Sequence, residues 1–312
     1  MVKFSVPLSV PKQQRDNYLK NLKLATRGCG RLFLFAGDQK VEHLNADFYG
    51  PGITPEDASP AHLFAIASQI PGAVLAAHVG LLATYGKDYK NLPYILKVNG
   101  KSPLSGSQDN LYSGAWLKND HVIRFQRQSG LKIVGLGYTV YLGSNQEAQM
   151  LKEAAEMIHS AHQAGLLAII WMYPRHPQIK NEDDVHLIAG GAGVAACLGA
   201  DFVKVKYPYK TANTETKAAA FKEVIRAAGK TRVICVGGGR QKAEDLLKHL
   251  FRQLKNGAAG MAIGRNLHQR PLKEAMSLGM AISALIHDNV SLNQALAILK
   301  KEPASLKNQK KS

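Results

Sequence analysis

The chain has 312 residues, of which 46% are hydrophobic, so it can bury one large core or two modest ones. It has no apolar run near the roughly 18 residues that span a bilayer and a polar N-terminus, which argues against a membrane or secreted protein. The net charge of +17, from 40 basic and 23 acidic residues, favours anionic partners such as phosphorylated metabolites, nucleic acid or acidic surfaces.

The first predicted element is a helix over Gln13–Thr26, within an N-terminal extension formed by residues 1–30. Eight short β-rich runs then alternate with helical patterns, which predicts a parallel sheet. Eight such units favour an α/β fold, a single (β/α)8 TIM barrel over residues 31–300, rather than two neighbouring three-layer sheets, because no linker divides the chain. The predicted strands are Leu32–Gly37, Ala73–His78, Tyr94–Val98, Ile133–Tyr138, Leu167–Trp171, Phe202–Lys206, Val233–Val236 and Met261–Ile263.

The segments between the later strands repeat apolar residues at intervals of three and four, as amphipathic helices do. A long polar excursion over Gly100–Asp120 follows the third strand, and such loops are often functional or mobile. Residues 301–312 read as a basic, solvated tail. The predicted helices cover Gln146–Ala164, Asn181–Leu198, Thr214–Ala228, Gln241–Asn256 and, as one C-terminal segment, Leu272–Leu299.

The sixth strand carries two lysines in an apolar run. Alternation places Phe202, Lys204 and Lys206 on one face of the strand. A buried ammonium is costly unless it is paired or neutralised, and a neutral lysine is a nucleophile that attacks carbonyl groups. If both side chains face inward, Lys206 lowers the pKa of Lys204 by repulsion. The alternative is that both lysines cap the strand end and point to water.

In a (β/α)8 barrel, function collects where the strands end, and the last two strands end in glycines and arginines. Glycines let backbone N–H groups approach an anion closely, and arginine suits a phosphate. The alternative for the three consecutive glycines is a tight turn, and the nucleotide P-loop pattern is absent. The predicted phosphate-binding residues are Gly237, Gly238, Gly239, Arg240, Gly264 and Arg265.

Candidate acids and bases end other strands. Tyr173 can shuttle a proton and Trp171 can exclude water, although the two rings could also simply pack at the rim. Asp38 can stabilise a cationic imine or serve as a turn cap. The spacing of Glu42, His43 and His78 matches no tight metal motif, so no metal or other cofactor is predicted. The three cysteines, Cys29, Cys197 and Cys235, are widely spaced, which indicates a reduced, cytoplasmic setting.

Together these residues resemble the archaeal-type class I fructose-bisphosphate aldolases of the DhnA type. The resemblance implies a metal-independent barrel enzyme that makes or breaks a carbon–carbon bond through a Schiff base, and a homo-oligomer. It further implies that Lys204 forms the Schiff base, Tyr173 transfers protons, Trp171 walls the site and Asp38 is a polar anchor beside the imine. The glycines after strand seven, with Gly264 and Arg265, would hold a phosphate of fructose 1,6-bisphosphate, dihydroxyacetone phosphate or glyceraldehyde 3-phosphate. The motifs that carry the resemblance are GDQKVEH (37–43), GYTVYLGSNQEAQM (137–150), WMYPR (171–175), ADFVKVKYP (200–208), VGGGR (236–240) and AIGRN (262–266).

Two departures from the family pattern leave other functions open. Gln39 and Lys40 follow Asp38 where the family usually has histidine and glycine, and the loop after strand seven is all glycine where the family often has a serine among the glycines. A transaldolase-like ketose synthase, or a thiolase acting on another phosphorylated substrate, would share the lysine and the phosphate site. A non-catalytic barrel that binds phosphate ligands or polyanions is the third alternative. Nucleic acid is not expected to be the primary partner, because no aromatic-interleaved basic stripe is present.

Overall fold

The computed structural model describes residues 4–104, 111–176, 179–208 and 214–301, without the side chains of 214–218. Eight parallel strands close into a barrel in chain order, and the first strand pairs with the last. The predicted (β/α)8 barrel is therefore confirmed. The strands are β1 (Leu32–Ala36), β2 (Ala73–His78), β3 (Pro93–Lys97), β4 (Lys132–Leu142), β5 (Leu167–Pro174), β6 (Phe202–Val205), β7 (Arg232–Val236) and β8 (Gly260–Ile263).

Helices surround the barrel and cover its outer face. Short 3₁₀ turns add to them at Lys12–Gln14, Leu44–Asp47, Pro55–Ala58 and Gly86–Tyr89. Within the described residues, no helix is long and apolar enough to cross a membrane. The α-helices are α1 (Arg15–Thr26), α2 (Gln39–Glu42), α3 (Ala61–Gln69), α4 (Val79–Tyr85), α5 (Asn119–Gln128), α6 (Glu147–Gln163), α7 (Val185–Leu198), α8 (Thr214–Ala228), α9 (Ala243–Lys255), α10 (Arg265–His268), α11 (Leu272–His287) and α12 (Leu292–Lys300).

Several predicted boundaries were wrong. The C-terminal segment is two helices, because the chain turns at Asn289, which has a φ of 52°, and Ser291 begins α12 with a capping box. α7 begins at Val185 rather than Asn181, since the Asp184 carboxylate caps it by accepting the backbone N–H of His186 at 2.9 Å. The helices α3, α4 and α5 were not predicted, and the tail beyond residue 301 lies outside the described residues.

Strands β4 and β5 extend further than predicted. β4 continues from Tyr138 to Leu142 and β5 from Trp171 to Pro174, and the added residues pair with one another, Tyr141 opposite Tyr173. The longer pair carries both tyrosines to the carboxyl end of the barrel. The predicted strand stopped at Trp171, although Tyr173 was expected on the same side of the extended strand end, as the structure shows.

Side chains alternate between the inside of the barrel and the layer under the helices. The inward positions are almost all apolar and fill the interior as a packed core. The lysine strand follows this pattern, with Phe202 in the interior core and Val203 and Val205 under the helices. The interior core consists of Leu32, Leu34, Val74, Ala76, Ile95, Val134, Leu167, Ile169, Trp171, Phe202, Ile234 and Ala262.

The N-terminal extension covers the end of the barrel at which the strands begin. Tyr18 and Leu22 of α1 are buried against the interior core. The Tyr18 hydroxyl donates a hydrogen bond to Asp201, the residue just before β6, and Asp201 also accepts the backbone N–H of Ala168 at 2.8 Å. In the described part of the chain, α1 therefore packs across this end of the barrel.

Candidate active site

A cavity of about 440 Å³ opens at the carboxyl ends of the strands. Its position follows from the barrel topology, which gathers every strand end around one mouth. Of the predicted site residues, Asp38, Tyr173, Lys204, Gly237, Gly238, Gly264 and Arg265 line it, and Trp171, Gly239 and Arg240 do not. The other lining residues include Gln39, Glu42, His43, Lys101, Tyr141, Arg175 and Lys206.

Lys204 points from β6 into the floor of this cavity and is only 8% exposed. Its Nζ lies 5.3 Å from the ring centroid of Trp171 and 5.9 Å from that of Tyr173. Burial lowers the pKa of Lys204, and Arg265 adds to this effect, while Asp38 and Glu42 oppose it. The environment therefore favours an amine that can lose its proton and act as a nucleophile.

Lys206 has a different environment. Its Nζ donates to Glu182 Oε2 at 2.6 Å and lies 3.6 Å from Asp183 Oδ1. This ion pair compensates its charge at the cavity rim. The positive neighbour that lowers the pKa of Lys204 is Arg265, which comes from the other side of the barrel.

Two carboxyl groups enter the cavity from the segment after β1. Asp38 is 1% exposed, and neither of its oxygens has a hydrogen-bond partner among the described residues. It immediately precedes α2, but its side chain accepts no capping bond from the described backbone there. Glu42, at the end of α2, has its pKa raised by burial, against the opposing effect of Lys97. The geometry favours Asp38 as a group aimed at a ligand over Asp38 as a cap.

Tyr173 and Trp171 alternate on the inward face of β5 and occupy two depths. Tyr173 lines the cavity, and burial raises its pKa well above the usual phenol value, reinforced by Glu42 and Asp38. Trp171 is 1% exposed and lies beneath the cavity, where its indole packs against the amino group of Lys204. Trp171 thus forms part of the floor under the lysine instead of a wall of the open cavity.

The loop after β7 has a shape imposed by a neighbouring side chain. Asn266 Nδ2 donates to the carbonyl oxygens of Gly237 at 3.1 Å, Gly238 at 3.4 Å and Gly239 at 2.9 Å. Gly238 has a φ of 70°, a conformation that glycine adopts without strain. With their carbonyls turned toward Asn266, successive peptide groups of this loop can present N–H groups elsewhere.

The two arginines of the predicted phosphate site differ in position. Arg265 lines the cavity, and its Nε lies 3.6 Å from Asp47 Oδ2 without a hydrogen-bond partner in the described chain. Arg240 instead donates to the carbonyl oxygen of Gly52, away from the cavity. A Cβ on Gly264 would displace the end of the Gln39 side chain and would lie 3.1 Å from the carbonyl oxygen of Ala36. The geometry supports Arg265 as an anion ligand and gives Arg240 a contact outside the cavity.

Sequence reasoning missed the polar residues behind and opposite Lys204. Lys97 on β3 is fully buried, and Lys101 and Arg175 line the cavity. The signal for Lys97 was available, because it interrupts the apolar run YILKV much as Lys204 interrupts FVKV. In the described part of the chain, no cluster of three or more His, Cys, Asp or Glu residues could hold a metal ion.

Comparison with known proteins gives concordant matches. The family model described as DeoC/LacD family aldolase matches residues 32–270. A fructose-bisphosphate aldolase/6-deoxy-5-ketofructose 1-phosphate synthase from Methanocaldococcus jannaschii is 49% identical over 294 residues, covering 94% of this chain and 93% of that protein.

Solved structures agree with this match. A fructose-bisphosphate aldolase from Slackia heliotrinireducens superposes with a TM-score of 0.91 at 45% identity, covering 95% of this chain and 94% of that one. An archaeal fructose-1,6-bisphosphate aldolase superposes with a TM-score of 0.73 at 28% identity, covering 87% of this chain and 100% of that one. In that archaeal structure the catalytic lysine is covalently bound to the carbinolamine intermediate of the substrate.

Proposed function

This chain belongs to the DeoC/LacD family of aldolases, carbon–carbon lyases, and from that premise we propose that it is a class I aldolase whose Lys204 forms a Schiff base with a phosphorylated ketose. The observation that carries the proposal is the position of Lys204. It is the lysine buried at the cavity floor, beside a tyrosine and two carboxyl groups, with a lowered pKa. An uncharged amine in such a place is suited to attack a ketone.

The first half of the reaction builds an electron sink. Neutral Lys204 attacks the ketone carbon and forms a carbinolamine, which loses water to give a protonated imine. Asp38 and Glu42 stabilise this cation by their negative charge, because both lie beside Lys204 in a site of low dielectric. The indole of Trp171 faces the same nitrogen from below.

The second half breaks the bond. The substrate hydroxyl passes its proton through Tyr173 toward the carboxylates, the carbon–carbon bond cleaves, and the electron pair enters the imine to form an enamine. The aldehyde leaves, the enamine carbon takes up a proton, and water hydrolyses the imine to restore Lys204. Tyr173 suits a relay, since its raised pKa keeps the phenol protonated except during transfer.

The cavity has cationic groups on two opposite sides. Gly237, Gly238 and Arg265 lie at the ends of β7 and β8, where barrels often hold phosphate. Lys101 and Arg175 follow β3 and β5, across the ring of eight strands, and each lines the cavity. A substrate with an anionic group at each end, such as fructose 1,6-bisphosphate, fits this distribution of charge.

Borohydride trapping tests the role of Lys204. Dihydroxyacetone phosphate with sodium borohydride should add a reduced adduct to the wild-type protein, and peptide mass spectrometry should place it on Lys204. Lys204→Ala should lose both the adduct and the aldolase activity, while Lys206→Ala, one strand alternation away, should still be labelled at Lys204. An active Lys204→Ala variant, or an adduct on another lysine, would contradict the proposal.

A ketose synthase acting on a different phosphorylated substrate is the second candidate. The 49% identical relative bears both an aldolase and a 6-deoxy-5-ketofructose 1-phosphate synthase name. Comparing kcat/KM for formation of the two products with the purified protein separates them. A higher value for the 6-deoxy sugar would assign the synthase as the main activity.

We also propose a homo-oligomer that works in the cytoplasm, with the barrel over residues 31–300 as its single domain. Support for the cytoplasm comes from the three cysteines, which are all unpaired. Light scattering on the purified chain measures the assembly, and a monomer mass at working concentration would contradict the oligomer.

A further inference from the structure

A buried histidine and a buried aspartate lie beside the cavity without entering it. His268 ends α10, and Asp57 belongs to the 3₁₀ turn between β1 and α3. Both side chains are 0% exposed, and neither residue lines the cavity. His268 Nδ1 lies 2.6 Å from Asp57 Oδ2. A carboxylate oxygen only accepts hydrogen bonds, so Nδ1 donates to it and the pair fixes the orientation of the ring.

The other nitrogen of the His268 ring faces the end of the Gln39 side chain. Nε2 lies 3.4 Å from Gln39 Oε1, and an amide oxygen only accepts hydrogen bonds, so Nε2 donates to it. Gln39 is the first residue of α2 and, unlike His268, it lines the cavity. The contacts that start at Asp57 therefore end on a side chain that a ligand can touch.

Holding the oxygen of the Gln39 amide also orients its nitrogen. The oxygen and the NH2 group lie on opposite sides of the amide carbon, so an oxygen turned to His268 leaves the NH2 group turned away from that ring. The amide forms no other hydrogen bond within the described part of the chain. Its two N–H donors are thus available to a molecule in the cavity.

The Gln39 amide lies on the side of the cavity that suits an anion. Its end occupies the space beside Gly264 in which a Cβ would stand. Gly264 and Arg265 line the cavity together with Gly237 and Gly238, which follow β7. An amide NH2 group at this place adds a directional donor to a guanidinium and a glycine loop, the groups that hold phosphates in proteins.

An aromatic ring packs on the histidine and links it to the next residue of α2. Phe48 stacks on the His268 ring, with centroids 4.5 Å apart and an angle of 8° between the planes. Lys40 Nζ lies 4.1 Å from the centroid of the same Phe48 ring. Gln39 and Lys40 are the two residues at which this chain departs from the family pattern, and the structure connects both to the packing around His268.

We propose that Gln39 is a specificity-determining residue for the phosphate of the ketose, and that His268, held by Asp57, is the positioning residue that turns the Gln39 NH2 group toward that phosphate. The inference rests on the proposed function, because it takes a phosphorylated ketose as the ligand. The reverse orientation of the amide, with the NH2 group on His268, would place an oxygen against the anion and predicts an effect of opposite sign.

The test compares dihydroxyacetone phosphate with dihydroxyacetone, which has the same ketone and lacks the phosphate. The readout is the ligand concentration at which labelling of Lys204 by sodium cyanoborohydride is half-maximal. Gln39→Met removes the amide at similar length and should raise this concentration about tenfold or more for dihydroxyacetone phosphate, the loss expected for one hydrogen bond to a charged group. The value for dihydroxyacetone should stay in place.

His268→Asn tests the positioning role. An asparagine amide can still donate to Asp57 from near the position of Nδ1, but it lacks the atom that reaches Gln39. This variant should raise the half-maximal concentration for dihydroxyacetone phosphate alone, and it should add nothing in the Gln39→Met background, because the two residues act through one contact. Additive effects in the double variant would overturn the positioning role. Gln39→Met decides the role of the amide if His268→Asn does not fold.

His62→Asn is the matched control, since His62 is another buried histidine, on α3, whose Nε2 lies 3.1 Å from the Arg270 carbonyl oxygen. It should leave both half-maximal concentrations at their wild-type values. In Gln39→Met, an unchanged or lower value for dihydroxyacetone phosphate would overturn the inference alone, as would an equal rise for both ligands. A wild-type protein that neither ligand labels at Lys204 would overturn the proposed function and this inference with it.

Discussion

Two phenol groups line the cavity from neighbouring strands. Tyr141 and Tyr173 are paired across β4 and β5, with ring centroids 6.2 Å apart. Burial raises the pKa of both hydroxyls. The ring centroid of Tyr173 lies 5.9 Å from Lys204 Nζ, which places Tyr173 beside the proposed nucleophile.

Removing the Tyr173 hydroxyl should separate imine formation from cleavage. Tyr173→Phe should lower kcat by about 10²-fold or more, the range for a lost proton-transfer group, yet still give the borohydride adduct on Lys204. Tyr141→Phe, the matched control, should lower kcat by less than about tenfold. Steady-state kinetics with peptide mapping measures both effects. Equal losses in the two variants would contradict the assignment of Tyr173.

At the scale of single residues, the sequence alone identified side chains whose charge conflicts with their position in an apolar strand. Lys204 stood out because a lysine in an apolar strand is costly, and its burial confirms that position. Lys97 has the same feature, and its Nζ donates to Asn99, two residues further along, and lies 3.9 Å from Glu42 Oε1. Alternation in one strand cannot show that Glu42, from the segment after β1, lies beside this lysine.

At the scale of elements, the helix α1 ties the N-terminal end of the barrel to the strand that carries Lys204. The Tyr18 hydroxyl donates to Asp201 Oδ1, while Asp201 Oδ2 accepts from His162 at 3.2 Å. Ser9 completes the network through its contact with His162 at 2.7 Å. Each member is satisfied by the next, which makes the network sensitive to the loss of one donor.

Tyr18→Phe should destabilise the fold without changing the chemistry. Loss of the buried donor leaves an Asp201 oxygen short of a partner and should reduce the free energy of unfolding by about 1–3 kcal/mol. Thermal and denaturant unfolding measure the change, and KM should remain at the wild-type value. Tyr49→Phe is the control, because Tyr49 is 68% exposed and should cost almost nothing. A large rise in KM for Tyr18→Phe would contradict a purely structural role.

The strands were easier to predict than the helix boundaries. All eight strands were found because buried parallel strands are short apolar runs between turn residues. The split between α11 and α12 was missed, since Val290 and Leu292 continue the apolar pattern through the turn at Asn289. The extension of β4 and β5 was also missed, because it depends on pairing between them.

At the scale of the whole molecule, the order of the strands around the barrel places the two cationic sides of the cavity opposite each other. The net charge of +17 raises the local concentration of anions, but the lining residues decide what is bound. Lys101 and Arg175 lie near enough that Arg175 contributes to the lowered pKa of Lys101, after burial. An anion placed between them would relieve this repulsion.

Lys101→Met should therefore affect bisphosphates more than monophosphates. Its kcat/KM for fructose 1,6-bisphosphate should fall about tenfold relative to that for fructose 1-phosphate, since one charge-assisted contact is worth about 1.5 kcal/mol or more. The exposed Lys132→Met is the control for simple loss of charge. An equal fall with both sugars would contradict a distal phosphate site. A KM that varies steeply with salt in both variants would instead favour the polyanion-binding alternative.

The family and the barrel could be predicted from the order and spacing of six motifs, which the matching family model confirms. The distribution of charge around the mouth could not, because it requires knowing which strand ends face each other. For Arg240, the motif could not show that its guanidinium donates to the carbonyl oxygen of Gly52, and its role in phosphate binding stays a prediction.

The amide of Asn266, just after β8, donates to three successive carbonyls of the glycine loop that follows β7. The shape of that loop therefore depends on a residue that follows the neighbouring strand. Every contact of Asn266 in this set is to a backbone carbonyl, so none of them depends on a side chain in the loop. Substitutions that change the side chains of the loop could therefore change which anion it binds while Asn266 keeps its backbone in place.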